Sequence, residues 1–302
     1  MSRESRGAGV AEPPAEAGGA QVRAKAAGRD GAGPSKEEAH KEHGPPRSTL
    51  REYFESLVVT AIMALFGMTF VVQAVKVPTG SMQNTIVVGD HLLVNKFIFA
   101  PGPRLPVLPQ REIRRGDIIV FKYPGNPFNP ERDRDEDNVP YKVNYVKRVI
   151  GLPGDLVEVK GLRVFVNGQP LPEHIIIARN LNEKAPLEIV EDTPRQANEL
   201  WDVYYFPEKV AAARQGQEVN ASPDFHFAVN GKPAKVPANS YFVMGDDRDN
   251  SLDSRAWGFV PRELVIGRAM FVYWSYDETK PFNGPLDFFT NTRWSRTGTM
   301  VK

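Results

Sequence analysis

The sequence contains no cysteine. This absence excludes disulfide bonds, thiolate nucleophiles and zinc or iron–sulfur sites built on cysteine. The chain also lacks an excess of either charge, since 38 lysines and arginines stand against 37 acidic residues for a formal net charge of +1. A near-neutral composition gives no electrostatic reason to expect a nucleic-acid partner. With 302 residues, the chain is long enough for one or two domains with a sizeable core.

Aromatic and β-branched residues are scarce in the first 50 residues, which are rich in glycine, alanine, proline and charged side chains. Such a segment cannot bury enough apolar surface to offset the entropy of ordering the chain. We therefore predict that residues 1–50 form a disordered tail that is solvated and does not serve as a specific binding arm.

Charge is absent from the segment Leu57–Val75, LVVTAIMALFGMTFVVQAV. About 20 apolar residues in a helix span the hydrocarbon core of a bilayer, which predicts a single transmembrane anchor helix over residues 55–76. The run is too long and too far from the N-terminus for a cleavable signal peptide, and a buried helix of a soluble protein is the alternative. Arg47 and Arg51 precede the run and Lys76 follows it, so the positive-inside rule favours a cytoplasmic tail and a body outside the cytoplasm.

Beyond the apolar run, the pattern predicts β structure, because short runs of valine, isoleucine, phenylalanine and tyrosine alternate with turn signals. The predicted strands are Ile86–Val94, Asp117–Tyr123, Asn144–Ile150, Leu156–Val159, Arg163–Val166 and Ser240–Met244. The Asn-Gly pairs in VFVNGQPL and FAVNGKPAKV each predict a β-hairpin. The chain from about residue 172 to 236 is less regular, which predicts a smaller domain, residues 166–236, inserted into a core of residues 77–165 and 237–302.

The run Pro130–Asn138, PERDRDEDN, has aspartates spaced somewhat like those of a calcium loop. It lacks the glycine and the closing glutamate that such a loop needs. We interpret it as a solvated surface loop.

An isolated hydroxyl, Ser81, lies in the stretch PTGSMQNTIVVGDHLL directly after the apolar run. A serine is a poor nucleophile unless a base takes its proton. No triad motif accompanies any of the five histidines, which are His40 and His43 in the tail, His91 in a predicted strand, and His174 and His226 in the predicted insertion. A Ser-His-Asp triad assembled in space stays open at this point.

A lysine is the other candidate base, provided that burial lowers its pKa from the ordinary value of about 10.4. In the run NYVKRVI, strand alternation places Lys147 on the same face as Tyr145 and Val149. Taken alone, this pattern fits a lysine on an exposed edge strand better than a buried base. Near the C-terminus, however, VMGDDRDNSLDSRAWGFVP sets acids and arginines against apolar sequence, which predicts internal ion pairs that hold a site.

Together these motifs resemble bacterial type I signal peptidases, the leader peptidases. The motifs stand in the family's order: PTGSM with IVVGDHLLVNKF, then GDIIVFKYP, YVKRVIGLPGD and GDDRDNSLDSRAWGFVP. The resemblance implies a mainly β, signal-peptidase/LexA-like fold of antiparallel sheets. It also implies a membrane-anchored serine endopeptidase that removes signal peptides with a Ser/Lys dyad and uses no metal or other cofactor.

Carried onto this chain, the resemblance makes Ser81 the nucleophile and Lys147 the general base, with the Ser81 N–H and the Thr79 hydroxyl as the oxyanion hole. Ser251 would hydrogen-bond the lysine amine. The other supporting residues that it implies are the ion pair Asp253 and Arg255, with Asp246 and Arg248 nearby. The residues that would line pockets for small side chains are Val77, Pro78, Met82, Ile86, Tyr145 and Val146. The chain departs from the family at Asn84, where a proline is usual.

The resemblance further implies that the partners are the signal peptides of exported preproteins and the lipid bilayer, with no nucleic acid. It implies cleavage at Ala-x-Ala-type sites by a monomer in the bacterial inner (plasma) membrane, with the catalytic body on the extracytoplasmic side. One rival, a cytosolic Ser/Lys autoprotease of the repressor type, would begin with a helix-turn-helix and lack a membrane span. The other rival, a membrane-tethered peptide-binding module without catalysis, conflicts with the presence of Ser81, Lys147 and Ser251.

Overall fold

The computed structural model describes residues 49–100, 102, 110–220 and 222–302. The predicted disordered tail lies outside the described residues except at its last two positions, which are helical. The α-helices are α1 Thr49–Phe66, α2 Pro207–Arg214, α3 Ser254–Trp257 and α4 Asp287–Thr290. The strands are β1 Val72–Lys76, β2 Asp90–Asn95, β3 Ile118–Lys122, β4 Asn144–Gly151, β5 Leu156–Lys160, β6 Arg163–Val166, β7 Gln169–Pro170, β8 Glu173–Arg179, β9 Glu188–Asp192, β10 Trp201–Tyr205, β11 Ala234–Lys235, β12 Ser240–Met244, β13 Val260–Pro261 and β14 Val265–Ser275.

The apolar run is shared between a helix and a strand. α1 begins at Thr49, earlier than predicted, and continues into a π-helical turn over Gly67–Val71. Residues Val72–Lys76, predicted to complete a helix over residues 55–76, form β1 instead. Their backbone groups pair antiparallel with β2, and this tertiary ladder replaces the hydrogen bonds that a longer helix would have made.

One helix among the described residues is long and apolar enough to cross a membrane. The candidate span runs over the 21 residues from Thr49 to Thr69, and none of its side chains is buried against the described part of the chain. At 1.5 Å per residue such a segment is about 31 Å long, close to the hydrocarbon thickness of a bilayer. Its length and composition are therefore those of a membrane span.

The largest sheet has seven strands in the order β1-β2-β14-β3-β4-β12-β13. All its neighbouring strands are antiparallel. The side chains of β2 alternate between buried and half-buried, as expected when one face of a strand packs on a core, whereas nearly all of β3 in the middle of the sheet is buried. The predicted mainly β class is confirmed.

Two smaller sheets complete the fold. The antiparallel sheet β11-β5-β6-β7 has four strands, and the sheet β10-β8-β9 has three, of which β8 and β10 are parallel. This parallel pair departs from the expectation of antiparallel sheets alone. Residues 166–236, predicted as an inserted domain, supply β7 to β11 and α2. Their Trp201 and Val203 share one buried cluster with Ile150 and Phe242 of the predicted core.

The two Asn-Gly pairs behave differently. Asn167 and Gly168 have positive φ values of 53° and 78° and close the predicted hairpin between β6 and β7. Asn230 and Gly231 also have positive φ values, yet residues 222–229 before them form no strand and β11 pairs with β5. The second hairpin prediction is therefore wrong. Turn chemistry is local, whereas the partner of a strand depends on the whole fold.

A turn replaces the beginning of the strand predicted at Ile86–Val94, and β2 starts only at Asp90. Gly89 adopts a φ of 90°, which an L side chain rarely allows. The Asp90 carboxylate accepts a hydrogen bond from the Val87 N–H at 2.9 Å and so closes the turn. The chain from β1 to β2 is consequently a compact turn, and Ser81 lies within it.

Candidate active site

The turn between β1 and β2 holds Ser81 in a fixed place. Within the turn, the Gln83 N–H donates to the Gly80 carbonyl at 2.9 Å. The Ser81 carbonyl accepts a hydrogen bond from the Asp247 N–H at 3.2 Å, which ties the turn to the segment that follows β12. Ser81 is buried, with 8% of its surface exposed.

The strand β4 carries Lys147, whose amine lies beside Ser81. The Lys147 Nζ donates a hydrogen bond to the Ser81 Oγ. It also lies 5.4 Å from the centre of the Tyr145 ring, which the strand pattern places on the same face. Lys147 is only 4% exposed, and β4 runs between β3 and β12. The alternative of a lysine on an exposed edge strand is therefore wrong.

Burial lowers the pKa of Lys147 to about 8. Loss of hydration disfavours the ammonium form. Asp253 partly offsets this effect by attraction, and the guanidinium of Arg255 adds to it by repulsion. With such a pKa, about a tenth of the lysine is neutral at pH 7 and can accept a proton from a neighbouring hydroxyl.

Asp253 is the centre of a buried hydrogen-bonded group. Its carboxylate accepts from the Arg255 Nε at 2.9 Å and Nη2 at 2.8 Å, and from the Gly245 N–H at 3.2 Å. Burial by itself would raise the pKa of Asp253, but the Arg255 guanidinium and the hydrogen bonds hold it below its ordinary value. Asp253 and Arg255 thus form a charged pair at the site.

Ser251 has a different partner from the one expected. Its hydroxyl donates to the Asp253 Oδ2 at 2.8 Å. Among the hydrogen bonds of the described residues, none joins Ser251 to Lys147, although both side chains line the same cleft. In this structure Ser251 is therefore connected to the ion pair and not to the lysine amine.

Asp246 and Arg248 pair with residues outside their own segment. Asp246 binds Arg148 through two contacts, 2.8 Å to the Arg148 Nε and 2.7 Å to its Nη2. Arg248 binds both carboxylate oxygens of Glu173 in the same manner. All four side chains are buried. Each pair therefore joins the segment after β12 to another strand, β4 in one case and β8 in the other.

Sequence reasoning misses Arg148 and Glu173 for different reasons. On β4, Arg148 stands between Val146 and Ile150 on the face opposite Lys147. A charge between two apolar neighbours is a signal of a buried partner, so this residue could have been found. Glu173 gives no such signal, because it meets Arg248 across 75 positions of sequence.

A cleft of about 560 Å³ opens over Ser81 and Lys147. The expected pocket residues that line it are Val77, Pro78, Met82, Tyr145 and Val146. Ile86 does not line it, because it is fully buried in a cluster with Met82. Thr79 also lines the cleft. Within the described residues, neither its hydroxyl nor the Ser81 N–H is a donor in any hydrogen bond.

The charged run Pro130–Asn138 is mostly exposed, yet Arg132 and Asp137 line the cleft. The Asp133 carboxylate accepts from the Tyr123 hydroxyl at 2.9 Å, which anchors the run. In the part of the chain that the structure describes, no group of three or more histidine or acidic residues is arranged to hold a metal ion.

None of the three described histidines lines the cleft. His226 stacks on Phe128 at 4.1 Å, and His91 packs on Trp274 at 4.6 Å. Both ring nitrogens of His174 are bound, one to Asp192 and one to Glu199, each at 2.9 Å. His40 and His43 lie outside the described residues. The alternative of a histidine base therefore gains no support from the geometry.

These parts define a class of protein. A buried serine hydroxyl lies in contact with a lysine amine whose pKa is lowered, which is an arrangement in which an amine can activate a hydroxyl for acyl transfer. That combination is typical of a serine hydrolase. Here it occurs in a mainly β fold that follows a candidate membrane span in the sequence.

Comparison with known proteins agrees with this class. The family model described as signal peptidase, peptidase S26, matches residues 50–274. Signal peptidase I of Pseudomonas fluorescens is 35% identical over 247 residues, which cover 76% of this chain and 75% of that protein. Signal peptidase I of Pseudomonas aeruginosa is 33% identical over 257 residues, which cover 78% of this chain and 76% of that protein. The chain belongs to the signal peptidase family and is a serine endopeptidase.

A solved structure of a signal peptidase I from Enterococcus faecalis V583 is similar to part of the chain. It is 24% identical and covers 52% of this chain and 97% of that one. Its TM-score of 0.27 is too low to carry an argument about the fold.

The buried pair between Glu173 and Arg248 yields a prediction about stability. Glu173→Gln leaves the fully buried Arg248 guanidinium without its counter-charge. We expect the free energy of unfolding to fall by about 3–5 kcal/mol, as when one partner of a buried ion pair is removed. Denaturant titration of the purified protein, followed by tryptophan fluorescence, measures this change.

Glu191→Gln is the matched control. Glu191 pairs with Arg214 at 3.4 Å, but both side chains are largely exposed. Exposed pairs contribute about 0–1 kcal/mol, so this variant should unfold almost like the unaltered protein. Equal stability of the two variants would contradict the importance assigned to the buried pair.

Proposed function

We propose that this chain is a membrane-anchored endopeptidase that removes signal peptides from exported proteins, with Ser81 as the nucleophile and Lys147 as the general base. Signal-peptide cleavage by a serine peptidase follows from membership of the family. The observation that carries the assignment of the dyad is the contact between the Lys147 Nζ and the Ser81 Oγ in a buried setting.

In the proposed reaction, the neutral Lys147 amine takes the proton of the Ser81 hydroxyl as the Oγ attacks the scissile carbonyl. The lysine then returns this proton to the leaving amine, and an acyl-enzyme remains on Ser81. A water molecule then gives a proton to the neutral amine and attacks this ester. The amine returns the proton to the Oγ, and the acyl part of the peptide leaves with a free carboxyl group. The two atoms of the dyad are already in contact, so the first proton transfer needs no movement of heavy atoms, only a neutral amine that accepts from the hydroxyl.

The negative oxygen of the tetrahedral intermediate needs donors that are not already engaged. The Ser81 N–H and the Thr79 hydroxyl fit this requirement, since no hydrogen bond of the described residues uses either donor. Removal of one such donor typically costs about 2.7–4 kcal/mol of transition-state stabilisation. Asp253 and Arg255 would act indirectly, through the charge that they set around Lys147.

The base assignment predicts the response to substitution and to pH. We expect Lys147→Arg to lower kcat/KM by about a thousandfold or more, because guanidinium stays charged and cannot accept the proton. Ser81→Ala should be as severe, because the nucleophile is absent. For the unaltered enzyme, kcat/KM should rise with pH through a pKa of about 8 and then level off, since only the neutral lysine is active.

Lys142→Arg is the matched control, because Lys142 is exposed on the approach to the same strand. It should keep full activity and the same pH profile. Circular dichroism of each variant checks that the fold is intact. A folded Lys147→Arg protein with near-normal cleavage would eliminate Lys147 as the base.

We also propose that the enzyme cleaves after small residues, at Ala-x-Ala-type sites. Supporting this, the cleft beside Ser81 is lined by the apolar side chains of Val77, Met82 and Val146, and Val77 and Met82 are almost completely buried. Packed walls of this kind leave little room for a branched or long side chain.

A substrate series tests the specificity. Replacing the alanine immediately before the cut by leucine should lower kcat/KM by about 10- to 200-fold, since the larger side chain would have to displace packed apolar groups. A leucine at the middle position x of the Ala-x-Ala site, the second residue before the cut, should have little effect on kcat/KM and serves as the control. Equal cleavage of alanine and leucine peptides would refute the assignment of the pocket.

We propose that the Thr49–Thr69 segment anchors the enzyme in the bacterial inner membrane once, with the body on the extracytoplasmic side. Its length, its composition and its lack of buried side chains support an anchor. Arg47 precedes the segment and Arg51 lies in its first turn, against Lys76 beyond its other end, and this balance favours a cytoplasmic N-terminus. A repressor-type cytosolic autoprotease would have no use for such a segment.

The absence of native cysteine allows a clean test of this topology. A single cysteine introduced as Lys280→Cys, at an exposed position of the body, should react with a membrane-impermeant maleimide in intact spheroplasts. A cysteine introduced as Ser35→Cys in the tail should react only after the membrane is permeabilised. The opposite pattern of labelling would invert the proposed orientation.

A further inference from the structure

The turn that carries Ser81 is bound to a distant part of the chain through Asn84. The Asn84 Oδ1 accepts a hydrogen bond from the Leu187 N–H at 2.7 Å, and the Asn84 Nδ2 donates to the Leu187 carbonyl at 3.2 Å. A primary amide offers one acceptor and a donor group, so it can pair with both backbone groups of one residue as a neighbouring strand would. Two such bonds fix the distance between the turn and residue 187.

Gln83 makes contacts of the same kind one residue earlier. Its Nε2 donates to the Glu183 carbonyl at 3.2 Å and also to the Ala185 carbonyl. The side chain is fully buried. Gly80 leaves the space for it, because a Cβ at that position would lie 2.4 Å from the Gln83 Oε1. Two adjacent side chains of the turn therefore bind alternate residues of one segment, 183–187.

The 183–187 segment forms part of the wall of the cleft. Glu183 and Lys184 line the cleft that also contains the dyad. At the other end of the segment, Leu187 is 4% exposed and packs in a buried cluster with side chains of β8 and β10. The segment thus connects the three-stranded sheet to the space that a substrate would occupy.

We propose that Asn84 is a positioning residue that sets this wall of the cleft against the nucleophile and thereby controls how the substrate peptide is held. The inference rests on the proposed function, since it assigns the wall to the peptide that the dyad cleaves. The side-chain hydrogen bonds of Asn84, as far as the structure describes them, go to Leu187 and not to the dyad. Loss of these bonds frees the wall from the turn at residue 187, while Gln83 still binds residues 183 and 185, and it removes no contact of the dyad.

The Asn84→Ala variant removes both bonds to Leu187. With the full-length protein in detergent micelles and a peptide that spans an Ala-x-Ala site, we expect KM to rise about five- to tenfold while kcat stays within about twofold. The pH at which kcat/KM rises should not move, because the surroundings of Lys147 are unchanged. A general loss of folding would instead lower the amount of active enzyme and hence the apparent kcat.

A second measurement does not depend on the reaction. Hydrogen exchange at the Leu187 amide, followed by mass spectrometry of the peptide that contains it, should become faster in Asn84→Ala because the N–H loses its acceptor. The Asn84→Asp variant keeps an acceptor for this N–H and loses only the donor to the Leu187 carbonyl. We expect it to keep slow exchange and to show an intermediate KM, and it supplies the comparison if Asn84→Ala does not fold.

Asn198→Ala is the matched control, because Asn198 is an exposed asparagine between β9 and β10. It should change neither KM nor the exchange at Leu187. Faster exchange in Asn84→Ala with an unchanged KM would overturn the proposal, and so would a fall in kcat at constant KM. Ser81→Ala separates this result from the proposed function: full turnover in that variant would refute the dyad, while the exchange data on Asn84 would stand.

Discussion

The site depends on keeping one lysine amine out of water without a direct counter-charge. The cationic side chains buried among the described residues are Lys147, Arg148, Arg248 and Arg255. Each arginine has a carboxylate that binds it at two points, whereas no salt bridge to Lys147 is formed within the described chain. A paired guanidinium stays charged, while an unpaired buried ammonium loses its hydration and gives up its proton more easily. The three arginines can therefore stay charged in the interior because each has a carboxylate partner, whereas Lys147, which has none, can be neutral.

The path of the chain brings Ser81 to that lysine. β1 is the edge strand of the seven-stranded sheet, and β4 lies four strands away. Neighbouring strands are about 4.8 Å apart, so a flat sheet would separate β1 from β4 by about 19 Å. Curvature of the sheet and the compact turn after β1 close this distance, because sheets twist and do not stay flat. The hydrogen bond from the Asp247 N–H to the Ser81 carbonyl holds the turn in its final position.

Several features of the fold and the site follow from local patterns. Alternation along NYVKRVI places Lys147 with Tyr145, and the structure has the amine 5.4 Å from that ring. The Asn167-Gly168 pair closes a hairpin because both residues tolerate positive φ values. Where partners lie far apart in sequence, the same reasoning fails. The apolar run continues past α1 without a change in composition, yet β1 forms because β2 offers it a backbone partner.

Local sequence patterns were enough to predict the mainly β class and an apolar segment long enough for a membrane, whereas the roles expected of Ser81 and Lys147 came from the resemblance of several motifs to a known family. The β class and the apolar segment depend on neighbours along the chain, through strand alternation, hydropathy and turn chemistry. The folded chain was needed to show that Lys147 is buried, that Glu173 pairs with Arg248, and that Asn84 binds Leu187. The partners in these contacts are far apart in sequence, from 66 positions for Lys147 and Ser81 to 103 positions for Asn84 and Leu187. Their burial and hydrogen bonding depend on which surfaces meet in the folded chain.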